Sequence, residues 1–104
     1  VSQVTTHVLD TAAGRPAAGV AVTLERDDGT VLATGATDAD GRVRALGPDR
    51  LDPATYRLRF DTAAYLGTRA FFPEVVIVFR VVGDAHHHVP LLLSPFGYST
   101  YRGS

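Results

Sequence analysis

Apolar and polar residues alternate with a period of two along most of the chain, and short turn signals interrupt the alternation. In residues 4–10, Val4, Thr6 and Val8 fall on one face and Thr5, His7 and Leu9 on the other, the pattern of a strand with one face in a core. The segment 11–16, with Gly14, reads as a turn, and Val20-Ala21-Val22-Thr23-Leu24 alternates again. Asp27-Asp28-Gly29 is a hairpin signal, because glycine takes a positive φ without steric cost. The partner strand is expected over residues 31–37. Asp38-Ala39-Asp40-Gly41 is a second tight turn, followed by a short strand over 42–46, a loop over 47–53 and a strand over 55–60. One helix is expected, over 62–68, with Asp61 as its cap and Gly67 near its end. At about two turns it needs tertiary support.

The remainder is again β-like. Pro73 precedes the apolar run Val75-Val76-Ile77-Val78-Phe79, Gly83-Asp84 breaks it, and strands follow over 86–94 and 98–102 with a Pro95-Phe96-Gly97 turn between them. Seven or eight strands at a spacing of roughly 8–12 residues predict an all-β sandwich or barrel. With 104 residues, the chain is the size of one domain.

Composition narrows the chemistry. A net charge of −1 argues against nucleic acid or an anionic membrane as partner, since both need a positive surface. No run of residues is long and apolar enough to span a bilayer as a helix. The first residues, Val1, Ser2 and Gln3, are not the apolar core of a signal peptide, which leads us to expect a cytoplasmic location. Cysteine is absent, so disulfides, thiolate metal sites and thiol nucleophiles are excluded. All ten basic residues are arginine, which excludes Schiff-base chemistry on lysine.

Four features remain as candidates. His7 lies in the first strand and points away from its valine face; alone it reads as a solvated histidine. Arg42 follows a tight Asp-Gly turn and shares a face with Arg44; such pairs commonly serve solubility, but an arginine fixed beside a turn can grip a developing oxyanion. His86-His87-His88 places His86 and His88 on one side of a strand and His87 on the other. Either these are histidines on a wet strand edge, or His86, His88 and His7 form a three-imidazole zinc site with an open position. No carboxylate on the same strand offers that site a supporting partner. Finally, the tail Tyr98-Ser99-Thr100-Tyr101-Arg102-Gly103-Ser104 is aromatic and β-prone, unlike the bland ends most chains have.

Taken together, these segments carry a resemblance. Thr5-Thr6-His7-Val8-Leu9-Asp10, Gly14-Arg15-Pro16-Ala17, Asp40-Gly41-Arg42 and the run from His86 to the Tyr101-Arg102-Gly103-Ser104 end resemble the transthyretin-like family over nearly the whole chain. His7, Arg42, His88 and the tail match its 5-hydroxyisourate hydrolase branch better than its hormone-carrier branch. The resemblance implies a prealbumin-like β-sandwich of two four-stranded sheets with one short helix. It also implies a homotetramer, a dimer of dimers, with active sites in the channel where the dimers meet. By the same resemblance, His7, Arg42 and His88 are expected to be catalytic, Tyr101 and Ser104 to bind substrate, and no metal or cofactor to be required. The substrate would be 5-hydroxyisourate, opened at a cyclic amide. The alternative is a non-enzymatic carrier with a central channel for a small aromatic ligand. One departure stands out: the family usually has Tyr where this chain has His87. Alternation turns His87 away from His88, so catalysis is expected to survive the change.

Overall fold

The computed structural model describes residues 2–104; Val1 lies outside them. Among the described residues, nine strands form two sheets, accompanied by one short helix. The strands are β1 (Val4–Asp10), β2 (Arg15–Pro16), β3 (Ala21–Arg26), β4 (Val31–Ala36), β5 (Arg42–Val43), β6 (Ala54–Phe60), β7 (Val75–Val81), β8 (His87–Ser94) and β9 (Gly97–Thr100). One sheet runs β4-β3-β6-β7, antiparallel throughout. The other runs β2-β1-β8-β9, with β5 also pairing β1. The second sheet therefore has five strands where four were expected. β2 pairs with the end of β1 at Leu9 and Asp10, and β5 with its middle at Thr6 and His7, so two short pieces flank β1. The segment read as a turn over 11–16 supplies β2, and the strand expected over 42–46 ends at Val43.

Inward-facing side chains of both sheets form the core. Val4 and Val8 on β1, Leu24 on β3, Tyr56, Leu58 and Phe60 on β6, and Leu91 and Leu93 on β8 are all buried. Each large apolar side chain buried here stabilises the fold by roughly 1.5–3 kcal/mol. The β1–β8 pairing is parallel, and it aligns Thr5 with His88 and His7 with Pro90.

The helix is shorter than expected. α1 (Thr62–Leu66) is capped by the Asp61 carboxylate, which accepts from the Ala64 N–H at 3.1 Å. Gly67 at φ 69° ends it, and residues 67–69 form a single 3-10 turn. The Tyr65 hydroxyl donates to Asp10 Oδ2 at 2.8 Å and ties the helix to the end of β1.

The turn before β5 is closed by Asp38. Its Oδ1 accepts from the N–H groups of Asp40 (2.9 Å) and Arg42 (3.0 Å), and its backbone carbonyl accepts from Gly41 N–H (2.9 Å). The Arg42 N–H, ahead of the other contacts, holds the Asp38 carboxyl below its usual range. Gly41 adopts φ 75°, and a Cβ there would lie 2.4 Å from the Val8 carbonyl oxygen. We expect Gly41→Ala to cost at least about 1–3 kcal/mol from backbone strain alone. Urea denaturation should show a lower midpoint; an unchanged midpoint would mean the turn does not require glycine.

Candidate active site

β1, β5, β8 and the chain end bring their polar side chains to one cleft of about 270 Å³. Thr5, Thr6, Arg42, Arg44, His86, His88 and Ser104 line it. The outward face of β1 supplies Thr5, β5 supplies Arg42, and β8 supplies His88. Ser104 arrives because the tail stays in register with β8 beyond β9. The ladder pairs Leu91 with Thr100, and the bridge at His88 and Gly103 continues it. Bonded pairs recur every second residue along an antiparallel ladder. Counting from His88, the next would be Pro90 with Tyr101, and Pro90 has no N–H to donate. The Thr100 hydroxyl donates to the Pro90 carbonyl instead, at 2.7 Å.

Gly103 seats the tail against the imidazole of His88. Its N–H donates to the His88 carbonyl at 2.8 Å. A Cβ at this position would fall 2.6 Å from His88 Cδ2, so a side chain would displace the ring. Absence of a side chain, rather than a special φ, is the requirement here.

His88 is half-buried. Its Nδ1 lies 2.8 Å from Thr5 Oγ1, and its Nε2 has no hydrogen-bond partner among the described residues. Burial, followed by the charges of Arg42, His86 and His7, lowers its pKa below the ordinary 6.5. Near neutral pH this imidazole is uncharged, with a ring nitrogen available to accept a proton.

The other expected residues divide. Arg42 and Ser104 line the same cleft as His88. His7 is the register partner of Arg42, and its Nε2 donates to the Asp40 carbonyl at 2.8 Å. It is close enough for its charge to act on His88, yet it is not among the side chains lining the cleft. Tyr101 lies on the far side of His88, in a neighbouring, more apolar cleft of about 290 Å³ with Ile77, Val78, Phe79 and Val89. His88 is the wall between the two.

Among the described residues, no group of three or more His, Cys, Asp or Glu side chains is placed to hold a metal ion. His7, His86 and His88 do not gather into such a group: His7 turns its Nε2 to the Asp40 carbonyl, and the Thr5 hydroxyl lies between His86 and His88. His87 does point away from His88, as alternation requires, and is buried. Its Nδ1 donates to the Ala85 carbonyl at 2.6 Å, and its Nε2 accepts from Val82 N–H at 3.2 Å. Both ring nitrogens are satisfied, with the proton on Nδ1.

Three residues that sequence reasoning passed over help build the site. Thr5 bonds both His86 and His88, and its alternation with His7 was the available signal. Gly103 admits the ring of His88. Gln3 anchors the loop before β8: its Nε2 donates to the carbonyls of Gly83 (2.9 Å) and Ala85 (3.1 Å), and its Oε1 accepts from Leu51 N–H (2.7 Å). No periodicity marks Gln3 or Gly103.

Comparison with known proteins agrees with this architecture. The HIUase/Transthyretin family profile matches residues 4–103. A 5-hydroxyisourate hydrolase from Salmonella dublin is 49% identical, over 94% of this chain and 78% of that protein. The solved Klebsiella pneumoniae 5-hydroxyisourate hydrolase superimposes with a TM-score of 0.89 at 38% identity, covering 97% of this chain and 92% of that one. Sea bream transthyretin in complex with thyroxine also gives 0.89, at 35% identity, covering 97% and 94%. A fold, a sequence match and a signature tail that agree from end to end establish that this chain belongs to the HIUase/transthyretin family.

Proposed function

We propose that the chain hydrolyses 5-hydroxyisourate, opening its cyclic amide to 2-oxo-4-hydroxy-4-carboxy-5-ureidoimidazoline in urate degradation, with His88 as general base and Arg42 as oxyanion donor. The observation that carries this reading is a neutral imidazole and a guanidinium in one polar cleft. Hydrolysis of an amide needs a base to deprotonate water and a donor for the oxygen that becomes negative. His88 Nε2 is the open base position. Arg42 presents a guanidinium and is anchored by the Asp38 turn. His7, with its Nε2 donating to the Asp40 carbonyl, supports Arg42 beside it on β5; Tyr101 and Ser104 bind the substrate from the two sides of His88. The reaction written this way uses no metal, cofactor or covalent intermediate. A cleft lined by Arg42, Arg44, His86 and His88 suits this polar substrate better than the apolar aromatic ligand of a carrier.

We also propose a homotetramer, a dimer of dimers. Val78 on the β7 edge and Tyr98 on the β9 edge are exposed, and β7 and β9 are the last strands of their sheets. Unpaired edges with apolar side chains are the places where a second copy adds strands. Sedimentation equilibrium should return four chains; a monomer at micromolar concentration would refute the assembly.

The activity is tested by generating 5-hydroxyisourate in situ from urate and following its ultraviolet absorbance. The protein should accelerate decay, whereas a carrier would leave the spontaneous rate unchanged. His88→Ala should lower kcat/KM by about 10²–10⁴ and Arg42→Ala by about 10²–10³, with the assembly intact. A fall of less than threefold removes that residue from the mechanism.

The pH profile provides a further check. His88 is lowered in the folded chain, so its base form persists below 6.5 and is lost only as pH falls through the lowered value. The acid limb of kcat/KM should therefore have its midpoint below 6.5. Stability should decline in the same window, since the unfolded chain takes up the proton first. An acid limb centred above 6.5 would contradict the assignment of His88 as base.

A further inference from the structure

We propose that Thr5 is a positioning residue whose hydroxyl links His88 to His86, so that the proton His88 removes from water is held on His86 until the ring nitrogen leaves. This rests on the hydrolase reading above and extends it to two residues that reading does not use.

The geometry is a three-membered chain. Thr5 Oγ1 lies 2.8 Å from His88 Nδ1 and 2.8 Å from His86 Nε2. The two rings are 6.2 Å apart between centroids, so they meet through the hydroxyl and not directly. Thr5 is 6% exposed, whereas His86 is open to solvent. A hydroxyl has one proton to give. With both imidazoles neutral, the shared oxygen therefore donates to one ring and accepts from the other. When His88 Nδ1–H donates to Thr5 and Thr5 donates to His86 Nε2, the lone pair of His88 is on Nε2, the nitrogen without a partner among the described residues. The opposite polarity would place the proton on Nε2 and remove the base.

Each transfer balances. Water gives a proton to His88 Nε2 as its oxygen bonds to the carbonyl carbon. His88 Nδ1–H passes to Thr5 Oγ1, and the Thr5 hydroxyl proton passes to His86 Nε2, leaving the positive charge on His86. As the carbon–nitrogen bond breaks, the chain runs backward, and His88 Nε2–H delivers the proton to the leaving ring nitrogen. Electrostatics favour the excursion. Charge on His88 would be half-buried and would face Arg42, His7 and His86, with no acidic group among the groups that act on it. Charge on His86 is solvated.

The test uses the full chain and begins with the parent, whose acceleration of 5-hydroxyisourate decay establishes the hydrolase reading separately. Thr5→Val keeps the shape and removes the hydroxyl; it should lower kcat by roughly tenfold or more, part of the 10²–10⁴ that general base catalysis supplies, with KM changed less than twofold. Thr5→Ser should recover most of kcat. His86→Gln, at an exposed position, should fall to the level of Thr5→Val, and the double variant should fall no further. Nitrogen-15 shifts of His88 should report a protonated Nδ1 in the parent and a changed tautomer in Thr5→Val, with or without catalysis. An active parent together with full kcat in either Thr5→Val or His86→Gln overturns the relay while leaving the hydrolase reading in place. An unchanged His88 tautomer in Thr5→Val overturns it as well.

Discussion

The parallel pairing of β1 with β8 is the constraint on which the site depends. It places Thr5 beside His88, and β1 in turn places His7 beside Arg42 on β5. The register is locked from the inward face, where Val4 and Val8 of β1 and Leu91 and Leu93 of β8 are buried. A slip of one residue would turn those side chains outward and bring His87 or Val89 to Thr5. The same packing that holds the sandwich together therefore holds the imidazole against the hydroxyl. Precision in the cleft follows from core burial and needs no separate device.

The cleft is also a local concentration of positive charge in a chain that is close to neutral. Arg42, Arg44, His86 and His88 line it, and among the described residues no aspartate or glutamate does. Asp38, in the turn before β5, spends its oxygens on backbone N–H groups and on Arg44 at 3.4 Å. A half-buried imidazole among cations stays unprotonated, and the guanidinium remains available for a developing negative oxygen. The two effects have one source, since the charge that suits the oxyanion is the charge that keeps His88 a base.

The tail illustrates how a short sequence signal is used. Gly103 lets the chain end lie on the ring of His88, and Pro90 opens the ladder one step earlier, at Tyr101. Tyr101 and Ser104 thereby reach opposite sides of the same histidine. His87 shows a different economy. Where the family resemblance leads one to expect tyrosine, an imidazole is buried with both nitrogens bonded to the local backbone, and the site face is untouched.

Much of this was legible in the residues. Alternation located eight of the nine strands and the facing of His7, His87 and His88, because a strand's period of two acts on each residue locally. The Asp-Gly turn foretold the fixed backbone of Arg42, and the absence of cysteine and lysine removed thiol and amine chemistry. The two-residue strand β2, the early end of α1 and the roles of Gln3, Thr5 and Gly103 were not legible. β2 meets the end of β1 close in sequence but is too short a piece for alternation to mark, whereas the roles of Gln3, Thr5 and Gly103 depend on partners elsewhere in the chain: His88 lies more than eighty residues beyond Thr5. Sequence by itself settled which groups exist and which way each strand turns them. Only the tertiary structure decided that His88 divides two clefts, that Thr5 joins two histidines and that His7 is spoken for by a carbonyl, because those facts arise from long-range pairing that no local pattern encodes.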